Sequence, residues 1–133
     1  MAARSTTLAG NRKLVISSLG ASADHSIQRP FVTLLPAFNP PERQQAEAIT
    51  KDLIDLGCVE LCCVGHEAEQ LHDALDTIIE ARSALEVVTT WHEEPSDACE
   101  YFLYAAAGGR ANLLALLLSH PELQAMLEEN ART

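Results

Sequence analysis

A chain of 133 residues with 47 % apolar side chains is long enough for one domain with a proper core, and too apolar for wholesale disorder. Its net charge of −10 speaks against nucleic acid as a partner and for a protein partner with a basic surface, although an acidic solvated surface explains the same charge. No stretch approaches the ~20 apolar residues of a membrane span, so no membrane partner is expected.

In chain order, residues 1–12 are small and polar and are expected to be a flexible N-terminal segment preceding a single α/β domain at residues 13–133. Arg12-Lys13, the apolar residues 14–19 and Ala21-Ser22-Ala23 imitate a signal peptide, but the apolar region is short and holds two serines. A cytoplasmic protein is expected instead. Residues 13–19 can form a strand, most easily at a sheet edge, and residues 20–30 read as a loop. Charge is divided unevenly, with +3 on residues 1–30 and −13 on residues 31–133.

Residues 31–35 are an apolar run rich in β-formers, short enough for a buried strand. Asn39-Pro40-Pro41-Glu42 reads as a helix start with Asn39 as N-cap, since the prolines need no intrahelical N–H there. Ala46, Ile49, Leu53 and Leu56 then form one apolar stripe, and Gly57 is placed to end the helix. Residues 59–64 are apolar apart from Glu60 and give a second strand. A crossover helix makes the two strands parallel.

The same unit recurs. A helix over residues 68–83, with Leu71, Leu75 and Ile78 on one stripe, leads to a strand at residues 85–90. A helix over residues 96–107 turns Ala98, Phe102 and Ala106 inward and closes at Gly108-Gly109. Residues 113–118 are a continuous apolar run, followed by Ser119-His120-Pro121-Glu122, a capping-box pattern that opens a last helix. Strand starts therefore recur about every 27 residues, close to the ~30 of a βα repeat. The fold class expected is α/β, a three-layer, Rossmann-like, mostly parallel sheet of four to five strands with helices on both faces. For residues 113–118 a helix is the rival reading, because leucine and alanine favour one.

In an open parallel sheet, ligands bind beyond the carboxyl ends of the strands. Those ends carry Asn39, His66, His92 and His120, and the histidines are closely followed by Glu67, by Glu93 and Glu94, and by Glu122. Histidines converging with carboxylates can bind zinc or perform acid–base chemistry. Acids in a first helical turn also complement the helix dipole, and a neutral histidine there can simply bond backbone. His66, His92, Glu67 and Glu93 are thus the candidates for catalysis, and Trp91, His92, His66, Asn39 and His120 those for binding. His25 and His72 suit plain polar roles. The sole tryptophan, Trp91, is placed at a strand end where its ring could meet a partner or cover the sheet.

No metal and no cofactor are expected. Cys62 and Cys63 face opposite sides of a strand, while Cys58 and Cys62 share a face but stand ~13 Å apart, so none of these pairs chelates unaided. With Cys99 they read as small thiols packed in a core. No GxGxxG, GxxxxGK[ST] or GxSxG occurs.

Gly57-Cys58 leading into an apolar strand, followed by Thr89-Thr90-Trp91-His92-Glu93 and an aromatic-containing helix, resembles a family of small uncharacterised bacterial proteins. The similarity covers roughly residues 31–130 and implies a compact α/β domain of bacterial origin, without an activity to carry over.

Two classes of function follow. The preferred one is a non-enzymatic acidic binding or regulatory protein, an inhibitor- or immunity-type interaction domain. The alternative is a small hydrolase or metal-dependent enzyme using the strand-end histidines and adjacent glutamates. Self-association through the Leu-rich residues 113–127 stands level with a monomer.

Overall fold

The structure is a computed structural model and describes residues 4–20 and 27–132, so His25 and most of the expected loop lie outside the described residues. In chain order these form β1 (Arg4–Thr7), β2 (Lys13–Ile16), β3 (Phe31–Pro36), α1 (Pro40–Leu56), β4 (Cys58–Val64), α2 (Ala68–Ala81), β5 (Val88–His92), α3 (Pro95–Tyr104), β6 (Asn112–Ala115) and α4 (Pro121–Ala131). They build one six-stranded sheet in the order β1-β2-β6-β3-β4-β5. All neighbours run parallel except β1, which is antiparallel to β2, so the sheet is mixed and mostly parallel.

The sixth strand is the correction to the expected four to five. β1 falls in the segment expected to be flexible, where Arg4 through Thr7 pair with Ile16 through Lys13. Its four exposed residues suit an edge, and Arg4 lies 3.4 Å from Glu128 of α4, which ties the strand down. β2 is accordingly interior, between β1 and β6, and not the sheet edge that its position in the sequence suggested.

β3 is the centre. Its six residues are all buried, with β6 on one side and β4 on the other. Asn39 caps α1 as its sequence predicts, accepting the Glu42 N–H at 2.9 Å, and Gly57 ends the helix at φ 108°. The register of β3 on β4 then slips, from Phe31 opposite Cys58 to Val32 opposite Glu60. This bulge re-aims Cys58. It packs with Leu61 and Cys63, whereas Cys62 packs elsewhere, so Cys58 and Cys62 do not share a face.

Alternation along the strands divides the apolar residues between two cores. Phe31, Leu35, Leu61, Cys63 and Leu114 pack with Leu53 of α1 and Leu71 and Leu75 of α2. Val32, Leu34, Cys62, Val64 and Leu113 pack with Cys99 and Phe102 of α3 and Leu127 of α4.

Two boundaries move in ways that matter for the site. Leu85 and Glu86 lie in a turn closed by the Val87 N–H on the Ala84 carbonyl at 3.0 Å, so β5 begins at Val88. Trp91 and His92 are therefore the last residues of the strand, paired with Cys63 and Val64. Residues 112–115 are strand, bonded to β2 on one side and β3 on the other. Burial between two ladders outweighs the helix preference of leucine. At α4 the capping residue is His120, without a side-chain cap bond, so the capping box expected at Ser119 does not form.

Candidate functional site

The carboxyl edge presents the ends of β6, β3, β4 and β5 in that spatial order. From β3 the next strands in sequence, β4 and β5, lie on one side, and the chain then returns to place β6 on the other. A crevice opens where that order reverses. There Glu42 holds two groups at once, accepting the Phe38 N–H on Oε1 at 2.9 Å and lying 2.6 Å from His120 Nε2 through Oε2. The Phe38 and His120 rings are 4.7 Å apart. A cavity of about 430 Å³ opens beside them, lined among others by Phe38, Pro95, Ser119, His120, Leu123 and Met126.

At the end of β4 the turn is dictated by packing. Gly65 has φ 122°, and a Cβ there would sit 2.6 Å from the Ala37 carbonyl oxygen, so only glycine fits without displacing backbone. The turn leaves His66 exposed, its Nδ1 3.8 Å from Glu93 of the β5–α3 connection. Glu67 is drawn the other way, accepting a bond from Arg43 Nε at 3.0 Å, and this bond is the main cause that holds the Arg43 pKa above its ordinary value.

His92 does not join His66. It sits 5.2 Å, ring to ring, from Tyr101 of α3, with its Nδ1 buried and without a hydrogen-bond partner. Trp91, its neighbour on the strand, projects to the opposite side and is 40 % exposed. The strand-end histidines are thus dispersed: His66 lies by Glu93, His92 by Tyr101, and His120 by Glu42. His72, on α2, lies 3.2 Å from Asp73 and 3.8 Å from Asp76. Asn39 is occupied as a cap, Glu94 precedes the first turn of α3, and Glu122 lies in the first turn of α4. Among the described residues no group of three or more His, Cys, Asp or Glu is placed to hold a metal ion.

One buried group escaped the sequence reading. Glu60, 4 % exposed on β4, accepts the Tyr101 hydroxyl at 2.6 Å, the Ala107 N–H at 2.9 Å and the Thr90 hydroxyl at 3.4 Å. Burial, and then the bond to Glu60, push the Tyr101 pKa up from its ordinary value. The signal in the sequence was a lone acid inside an apolar run, which a buried strand tolerates only with partners.

Residues 14–131 match the family described as domain of unknown function (DUF7684). The chain belongs to that family. No curated protein and no solved structure matches it. The DUF7684 match runs from Leu14 of β2 to Ala131 of α4, so it takes in Glu60 and the three strand-end histidines and leaves β1 outside.

The charge of the DUF7684 domain is concentrated at one end of its sheet. Residues 67–109, which carry α2, β5 and α3, hold ten acidic side chains and Arg82 alone of the basic ones, a balance of −9. Arg82 is already paired with Asp55. Of the four large apolar side chains that stand exposed among the described residues, Leu85 (74 %), Val88 (50 %) and Trp91 (40 %) cluster on and just before β5. The exposed apolar side chains on and before β5 thus fall within the most acidic segment of the chain. Among the described residues no helix is long and apolar enough to cross a membrane.

Proposed function

We propose that this chain is a non-enzymatic acidic binding protein, of inhibitor or immunity type, whose partner presents a basic surface. One observation carries the reading: nearly all of the net charge lies on the segment that also exposes Trp91, Val88 and Leu85. A field of one sign steers a basic partner and rejects nucleic acid phosphates. The apolar side chains exposed on and before β5 supply contact area that charge alone does not. A three-layer, Rossmann-like arrangement of the helices, a bacterial source and a cytoplasmic location belong to the same reading. A monomer is part of it too, since stacking two such ends brings like charges together.

Trp91 is the only tryptophan and so reports on its own surface. Titration with an arginine-rich peptide should change its emission at 50 mM salt and weaken steeply by 300 mM. An arginine-rich peptide that leaves the emission and the heat of mixing unchanged at 50 mM salt would end this reading.

A second reading, a small hydrolase, draws on the His120–Glu42 pair beside the apolar cavity. Turnover of a p-nitrophenyl ester that disappears on His120→Ala would favour it.

A further inference from the structure

We propose that β5 receives an extended segment of the partner as an added strand, one in which basic and apolar side chains alternate. The proposal deepens the basic-partner reading and rests on it.

Among the described residues β5 has β4 as its one strand neighbour. The side of the strand that faces solvent follows from a single hydrogen bond. The His92 carbonyl accepts the Gly65 N–H at 3.1 Å, so the backbone groups of His92 point toward β4. Backbone direction alternates along a strand, so Thr90 and Val88 also point inward. Thr89 and Trp91 point outward. They offer two N–H donors and two carbonyl acceptors in the spacing that an incoming strand requires.

Edges that avoid pairing are commonly guarded by lysine, proline, a bulge or great shortness. β1, at the other edge, has four residues, RSTT, with Arg4 at its start. β5 reads VTTWH and carries none of these guards. It is a regular five-residue strand with Val88 half exposed.

The side chains beside the edge specify the incoming sequence. Residues of an added strand on the Thr89 and Trp91 side meet Asp76, which accepts the Thr89 hydroxyl at 2.6 Å, and its neighbours on α2, Asp73 and His72. They also meet the Trp91 ring, whose face attracts a guanidinium. That side calls for arginine or lysine. Residues on the other side meet Val88, which calls for an apolar side chain. A second copy of the chain is a poor occupant, because pairing β5 with β5 would bring two ends of balance −9 together.

The test uses the full chain and two eight-residue peptides, (Arg-Val)4 and (Glu-Val)4. The Arg-Val peptide should bind and slow amide exchange at Thr89 and Trp91, while the Glu-Val peptide should not bind. Thr89→Pro removes an outward N–H and leaves the β4 ladder intact, so it should weaken binding about tenfold, whereas Thr89→Val, which keeps the N–H, should change it less than about threefold. Unaltered exchange at Thr89 and Trp91 on binding, in the unmodified chain, overturns strand addition whether or not Thr89→Pro folds. Binding weakened by Asp73→Asn with Asp76→Asn but untouched by Thr89→Pro overturns strand addition and leaves the basic-partner reading standing. Failure of both peptides to bind removes both. Sedimentation showing a dimer that Thr89→Pro dissociates would assign the edge to a second copy and overturn the proposal.

Discussion

The Tyr101 hydroxyl donates a 2.6 Å hydrogen bond to the Glu60 carboxylate, joining α3 to the middle of β4. The other carboxylate oxygen takes the N–H of Ala107, a residue at φ 51° in the tight turn that follows α3. One buried acid therefore fixes both the helix and the turn through which the chain returns to β6.

Removing the donor should be costly because the acceptor stays buried. Tyr101→Phe should lower stability by about 1.5–3 kcal/mol, the usual contribution of a hydrogen bond to a charged group. Glu60→Leu combined with Tyr101→Phe should cost less than the two single changes added together, since the pair fails as a unit. Urea midpoints of the four proteins measure this. A loss below about 0.5 kcal/mol for Tyr101→Phe would show that the carboxylate is satisfied without it.

Stability should fall in alkali, and the sign follows from burial. Cys58 and Cys99 are pushed up from 9.0 to about 11, chiefly by desolvation, and Tyr101 is raised above its ordinary 10.0 for the same first cause. Below pH 9 these groups are protonated in both folded and unfolded chains and their stabilising contribution is complete. Above pH 9 the unfolded thiols ionise first, so unfolding gains up to about 1.4 kcal/mol per pH unit per group until pH passes the folded value near 11. Urea midpoints that stay level from pH 8 to pH 11 would contradict it.

Two glycines with positive φ should respond differently to alanine. At Gly108, φ 70°, nothing lies within 4 Å of an added Cβ, and the cost should be about 1–2 kcal/mol from backbone conformation alone. At Gly65 the added atom strikes the Ala37 carbonyl oxygen at 2.6 Å and the backbone itself must shift. Gly65→Ala should therefore be the more damaging by thermal melting, and the reverse order would mean that the turn between β4 and α2 yields easily.

The helix starts make a paired test of capping. Asn39→Ala should cost about 1 kcal/mol, because the Glu42 N–H loses its acceptor. Ser119→Ala should be close to neutral, since the cap position of α4 belongs to His120. A larger loss at Ser119 than at Asn39 would show that the two starts have been exchanged.

Much of the parallel sheet was legible because its signals are local. Asn39-Pro40-Pro41 marks a helix start, Gly57 marks its end, and the short apolar runs before and after that helix are strands under nearly any packing. β1 was not legible. Ser5, Thr6 and Thr7 bury nothing and gain their order from β2, a partner whose pairing no local pattern encodes. The histidines were placed along the chain by the sequence, but their company was left open, since it depends on strand order. Ending β5 at His92, and not at Thr90, puts that ring beside Tyr101, and only coordinates supply Tyr101 as a neighbour. Glu60 was visible as an exception within its strand, but its three donors come from 30 to 47 residues downstream.

The four cysteines are buried and free, and the slip in register at the start of β4 distributes them evenly. Cys58 and Cys63 pack in the core shared with α1 and α2, while Cys62 of β4 and Cys99 of α3 pack in the other. Each of the two cores thus holds two thiols of its own. A partial opening of one core uncovers one pair and leaves the other sealed. The order in which the four thiols accept an alkylating reagent would therefore trace which side of the molecule loosens first.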